Sequence, residues 1–313
     1  MKVIQWIASV LFVLLVLLVV WVYVLHARSF NEELQYDEQL QARAPGEVIE
    51  AGLGGTHYQV FGAEHEPTIV LVHGFSMPTA VWGQTGPLLA ARGFRVVQYD
   101  LWGRGFSARP DVPYTGALYE QQLISLLDAL SIQEPVAIVG LSMGGAITAR
   151  TVANHPERFS HVAFIAPLHQ PMAPPSIPAS LGYYMLSAFY VPALATSISP
   201  EKYGAAVAQE LSTAYESQRE IEGFTRALTS SIYSFTPDNH PAYFQRVGER
   251  VMPKLVIWGT ADDTVPFSHH TGVLSDLNVT TDALVVFEGA GHLPHLEAPD
   301  MFAEAMAKFI VQD

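Results

Sequence analysis

The chain opens on an unbroken apolar run. From Val3 to Leu25 no residue is charged, Leu and Val dominate, and Trp6, Trp21 and Tyr23 stand near the two ends. At a helical rise of ~1.5 Å per residue this run reaches about 34 Å, enough to cross a hydrocarbon layer of roughly 30 Å. The aromatic side chains then fall at the polar interface. The pattern predicts a single transmembrane anchor over residues 1–28. A cleaved signal peptide is the competing reading, because Lys2 supplies a positive start; against it, the run exceeds the usual length of roughly 7 to 15 residues and no small-x-small site follows before Arg28. Lys2 and the terminal amine face His26 and Arg28 across the span, so charge orients it little. A short tail ahead of a long domain favours a single-pass membrane protein with its domain on the periplasmic or extracytoplasmic side. Residues 29–46 mix Glu, Gln, Asp and Arg, which predicts a polar stalk or a surface helix between membrane and domain, carrying no chemistry.

Beyond the stalk, short β-branched runs alternate with stretches of helical spacing, the pattern of a mainly parallel sheet covered by helices on both faces. The runs predict strands at residues 67–73, 94–100, 135–141, 161–166, 254–259 and 282–288, with an antiparallel edge pair near 47–51 and 57–61. Helices are predicted at 80–92, 117–130, 143–155 and 299–311. One connection breaks the rhythm. Residues 167–253 lie where a single helix and a short loop would be normal. This stretch opens with Pro167, Pro171, Pro174, Pro175 and Pro178 and continues with helical patterns at 181–190, 200–212 and 217–230. It predicts a helical lid over the C-terminal edge of the sheet, the edge at which open α/β sheets bind ligands. The core is then 47–166 together with 254–313.

Composition narrows the chemistry. With 30 acidic against 16 basic residues the formal charge is -14, which repels phosphate backbones and excludes nucleic acid as a natural partner. Cysteine is absent, so disulfides, thiolate metal sites and cysteine nucleophiles drop out. No spaced ligand set such as H-E-x-x-H accompanies the histidines, and neither metal nor cofactor is expected.

The chemistry concentrates at three strand ends. Gly140-Leu141-Ser142-Met143-Gly144 joins a predicted strand to a predicted helix, placing Ser142 on a tight turn whose small neighbours let strand and helix approach closely. A hydroxyl at its ordinary pKa is a poor nucleophile and needs a base, which in turn needs an orienting acid. Asp262 and Asp263 follow the strand 254–259, and His292 follows the last strand, in the order Ser, Asp, His. His269, His270 and His295 are read as structural or surface residues. The backbone N–H of Met143, directly after the serine, and of Phe75, in the loop His73-Gly74-Phe75, are the candidate oxyanion donors.

Together these residues resemble the α/β-hydrolase superfamily: His73-Gly74-Phe75, the loop Asp100-Leu101-Trp102-Gly103-Arg104-Gly105-Phe106-Ser107, the Ser142 elbow, Gly259-Thr260-Ala261-Asp262, and Gly291-His292. The resemblance implies an α/β fold with a mostly parallel eight-stranded sheet, a lid inserted after strand 6, and Asp262 rather than Asp263 as the acid. Epoxide hydrolases and haloalkane dehalogenases place Asp where this chain has Ser142, and are disfavoured. The single anchor and apolar lid look like membrane-bound monoacylglycerol lipases and carboxylesterases, which implies a lipophilic ester, a monoglyceride or lysolipid, as substrate. Gly74, Met172, Tyr184 and Phe189 are then the expected substrate contacts. Hydrolases of ring-fission diketones and cofactor-free haloperoxidases share the pattern, and a catalytically silent membrane receptor is the non-enzymatic alternative. Oligomeric state is not legible.

Overall fold

The computed structural model describes residues 1–311. Its centre is an eight-stranded sheet: β1 (Glu47–Ala51), β2 (Gly54–Phe61), β3 (Thr68–Val72), β4 (Arg95–Tyr99), β5 (Val136–Leu141), β6 (Phe159–Ile165), β7 (Lys254–Gly259) and β8 (Leu284–Phe287), in the order β1-β2-β4-β3-β5-β6-β7-β8. β1 and β2 form an antiparallel hairpin, and β2 runs antiparallel to β4. Every later pairing is parallel.

The central strands alternate because both faces are covered. Ile69 and Leu71 point into one apolar layer with Trp82, Leu89, Phe302 and Met306, while Val70 and Val72 point into the other with Leu123, Leu126, Ala149 and Val152. Successive Cβ atoms lie on opposite faces, so one short apolar strand feeds two cores. The helices Gly116–Ala129 and Met143–Asn154 cover the second face, and Thr85–Ala90 and Pro299–Val311 cover the first. After β3 the chain steps to β4 on one side and later returns to β5 on the other. The crevice between β3 and β5 is therefore the switch point, where open sheets take their ligands.

Local chemistry moves several boundaries. The helix expected over 80–92 is split into a 3₁₀ turn, Thr79–Trp82, and a short helix, Thr85–Ala90. Gly83 stands between them at φ 47°, where an added Cβ would press on Leu296. The pattern expected over 200–212 becomes two helices, Pro200–Tyr203 and Ala205–Arg219, divided by Gly204 at φ 80°. That over 217–230 shifts to Phe224–Ser234 behind Gly223 at φ 93°. The segment expected over 181–190 is an α-helix, Ala179–Met185, running into a π-helix, Leu186–Tyr190. Residues 29–46 include a short helix, Glu38–Gln41, and dock on the insertion. Leu34 bridges Ile221, and the Glu32 carboxylate accepts the backbone N–H groups of Gly223 and Thr225 at 2.6 and 2.7 Å, capping the helix Phe224–Ser234.

The loops at the switch point are tied together by one buried carboxylate. Asp100, after β4, accepts from the N–H of Thr79 at 2.7 Å and of Phe106 at 2.9 Å, and pairs with His57 Nδ1 at 2.7 Å. Burial works to raise its pKa, but the His57 interaction and the donors around it prevail and hold it at about 2. A depressed carboxylate contributes stability that is complete above its unfolded value of about 4 and is lost as pH falls through the folded value. Asp100→Ala is predicted to lower the unfolding free energy at neutral pH by about 3 to 5 kcal/mol. Urea titrations should also show a flatter acid dependence for the variant than for the parent between about pH 4 and pH 2.

Candidate active site

Ser142 closes β5 and precedes the helix Met143–Asn154, with φ 54° and ψ −119°. A non-glycine residue held there is strained by about 1 to 3 kcal/mol and persists only when its surroundings over-determine it. They do. The Ser142 N–H donates to Ile165 O at 2.9 Å, and its carbonyl accepts from Gly145 at 2.9 Å and Leu168 at 2.8 Å. A Cβ on Gly140 would collide with the Gly144 carbonyl and Thr148, and one on Gly144 with the carbonyls of Val72 and His73. Only glycine permits these approaches, which seat the elbow directly against the end of β3.

That contact also sets the neighbouring loop. An added Cβ on Gly74 would lie 3.3 Å from Ser142 Cβ, so the Gly74-Phe75 backbone runs alongside the serine. His73 fixes the start of this loop: its Nε2 accepts from the N–H of Leu101 at 2.9 Å, which leaves the proton on Nδ1 to donate to Gly74 O at 2.9 Å. Burial lowers its pKa to about 4, so it stays neutral and structural. Among the described residues neither the N–H of Phe75 nor that of Met143 has an acceptor.

On the far side of the crevice, His292 Nδ1 lies 2.8 Å from Asp262 Oδ2. The other Asp262 oxygen accepts the N–H groups of Thr264 and Val265, both at 2.9 Å, which fixes the carboxylate with its side chain fully buried. Asp263, with its side chain 78% exposed, lies 3.7 Å from Lys202 Nζ. His292 and Ser142 line one cavity of about 460 Å³. Among the described residues no hydrogen bond joins the serine hydroxyl to the imidazole, a contact that in unliganded sites often tightens only when substrate arrives. The rival His295 is buried with Nε2 2.8 Å from Val81 O, and burial pushes its pKa down to about 4. His270 Nδ1 sits 2.6 Å from the carbonyl of Phe267 within one turn.

The rest of the lining departs from the expected contacts. Gly74 and Phe75 are there, but Met172, Tyr184 and Phe189 are not. They stand on the outer face of the insertion, exposed by 57%, 38% and 38%. Tyr190, Leu194, Ile198, Lys202, Tyr203 and Leu211 take that place, delivered by the π-helix and the helices after it. The signal for them was helical spacing in the insertion, but spacing names no inward face until the partner surface is known. Leu194 and Ile198 share with Phe75 and Met77 one apolar cluster, built on Leu186, Val191, Tyr215, Phe224 and Leu228.

Residues 69–305 match the sequence profile of the alpha/beta hydrolase family. The chain belongs to that family. Among curated relatives, the dihydrolipoyllysine-residue acetyltransferase component of the acetoin cleaving system of Pseudomonas putida is 27% identical, over 87% of this chain and 71% of its own. A 2-hydroxy-6-oxononadienedioate/2-hydroxy-6-oxononatrienedioate hydrolase from Pseudomonas putida is also 27% identical, over 81% of this hydrolase and 91% of its own length. The enol-lactonase of Burkholderia xenovorans has the same fold, with a TM-score of 0.68 at 22% identity over 85% of this chain and 100% of its own.

The insertion of this hydrolase grips the Phe75 loop through two buried side chains. Arg104 donates from Nε to Phe75 O at 2.8 Å and reaches Tyr119 at 2.7 Å and Ser231 at 2.9 Å. Gln218, from the insertion, donates to Ser76 O at 2.7 Å and accepts from Gly105 N at 2.9 Å. Arg104→Met keeps an apolar stem but removes every donor, leaving buried acceptors unpaired. It is predicted to cost about 2 to 4 kcal/mol in urea unfolding. Turnover per folded molecule is predicted to fall about tenfold or more, because the loop beside Ser142 loses its fixed position.

Proposed function

We propose that this chain is a serine hydrolase that cleaves carboxylic esters of lipophilic substrates, with Ser142 as nucleophile, His292 as base and Asp262 as the acid that orients it. The observation that carries the reading is the Asp262–His292 pair at 2.8 Å, its carboxylate buried and its imidazole opening on the same apolar-walled cavity as a serine in a strained backbone. With Asp262 accepting at Nδ1, the imidazole presents a bare Nε2 to the cavity. Nε2 takes the proton of Ser142 as Oγ adds to the ester carbonyl. The new oxyanion meets the free N–H groups of Phe75 and Met143, at the positive end of the helix Met143–Asn154. Collapse expels the alcohol, which receives the proton from His292. Water then repeats the sequence on the acyl-enzyme and releases the acid.

Phe75, Met77, Leu141, Tyr190, Leu194, Ile198 and Leu211 give the cavity its apolar walls, and its volume lies within the ordinary range of small-molecule sites. An acyl chain burying methylenes there contributes about 0.8 kcal/mol each. Residues 167–253 act in this reading as a lid over the core formed by 47–166 and 254–313. The apolar helix Lys2–Ser29 serves as a retained membrane anchor, which accords with its last turns packing on the insertion through His26 and Ser187 at 2.8 Å.

A second reading is hydrolysis of a carbon–carbon bond in a ring-fission diketone acid. It draws on the activity named for several relatives, and Lys202 is the one Lys or Arg lining the cavity among the described residues, placed where it can meet a carboxylate. Assays of p-nitrophenyl esters of graded chain length against a dienoate diketone acid separate the two. The ester reading expects turnover that rises with chain length; preference for the diketone would overturn it. Ser142→Ala and His292→Ala should each lower the rate on the order of 10⁴-fold or more, and the double variant should be scarcely worse than either. Loss of fluorophosphonate labelling in Ser142→Ala provides the independent check.

A further inference from the structure

The N-terminal helix and the insertion meet through an aromatic seam. Trp21 stands 5.5 Å from Phe189, centroid to centroid, and Tyr23 6.5 Å from Tyr184. His26 meets Tyr184 edge-on at 4.9 Å, and Phe30 lies 6.4 Å from Tyr183. Below the seam, Arg219 donates to Ser29 O at 3.1 Å, and the Glu32 cap fastens the chain to the helix Phe224–Ser234. The helix end and the insertion are one packed unit. The depth at which the helix sits therefore fixes the depth of the insertion.

If Val3 to Leu25 fill the hydrocarbon layer, Trp21 and Tyr23 sit at its interface with water, and the side chains touching them share that level. Those side chains belong to a surface suited to it. Leu181, Tyr184, Met185 and Phe189 are all exposed, by 38 to 43%. From Pro171 to Pro200 the sequence contains no Asp, Glu, Lys, Arg or His, in a chain whose net charge is -14. An exposed apolar patch inside the longest uncharged stretch of the acidic domain is poorly suited to water and well suited to the interfacial layer.

We infer that the outer face of the segment 171–199 is a lipid-contact surface, seated in the interface of the bilayer that the N-terminal helix crosses. The π-helix Leu186–Tyr190 then forms the partition between lipid and the Ser142 cavity. Phe189 faces the helix end, while its neighbour Tyr190 lines the cavity and packs on Phe75 at 6.1 Å. A lipophilic substrate then enters from the bilayer past Tyr190 instead of from bulk water. This inference rests on the anchor reading of the N-terminal helix.

The absence of cysteine makes the test direct, because a single introduced thiol is the only labelling site. Full-length Val13→Cys, Met185→Cys and Met301→Cys are labelled with an environment-sensitive fluorophore and reconstituted in phosphatidylcholine vesicles. Met301, exposed on the helix Pro299–Val311, serves as the reference away from the seam. Quenching by lipids carrying nitroxides near the headgroup or deep in the acyl chain reports depth. The expected result is deep quenching at residue 13 and shallow quenching at residue 185 several-fold above that at 301. Equal quenching at 185 and 301, with 13 quenched, would overturn the lipid-contact surface and leave the anchor standing. No quenching at any of the three would remove the anchor and the inference together.

Discussion

The strained backbone of Ser142 is the constraint around which the rest of the core is arranged. It is held by hydrogen bonds to β6 and to the start of the insertion, and by a contact between Gly144 and the carbonyls ending β3. Because that contact is backbone against backbone, no side chain mediates it and nothing in it can relax. The same approach brings Gly74 and Phe75 beside the serine, so a single steric fit places two loops at once. Asp100 secures the outer side of the arrangement by tying the segments after β3 and β4 to His57.

Much of this was legible in the sequence, for identifiable reasons. β7 lies where its apolar run put it, and the central strands shift by no more than two residues at either end, because burial on both faces leaves little freedom in where an apolar strand begins. Gly140 and Gly144 marked the elbow because a close approach demands a missing side chain, a requirement visible in the letters themselves. Asp262 and Asp263 are equivalent as letters. The turn separates them by giving one carboxylate two backbone donors and leaving the other in solvent.

The insertion was read less well, and there the physics differs. Helical spacing showed that its segments were amphipathic but not which partner each face would meet. Met172, Tyr184 and Phe189 were apolar and turned outward; Leu194, Ile198 and Leu211 were equally apolar and line the cavity together with Phe75 and Met77. The segment expected to be a polar stalk owes its docking to Glu32, one carboxylate among several, chosen by the free N–H groups at the start of a helix far along the chain. Breaks at Gly83, Gly204 and Gly223 likewise needed three dimensions to be distinguished from glycines that merely fill space.

The Glu32 cap also bears on how the molecule is made. Its partners lie 191 and 193 residues downstream, so during synthesis the segment carrying Glu32 has nothing to dock against until those residues have followed. Contacts of such separation carry a large closure entropy and form late. The ribosome therefore releases the two ends of this junction far apart in time, and a nascent chain stalled before residue 223 would present an apolar helix beside an incomplete sheet, the species most in need of a chaperone.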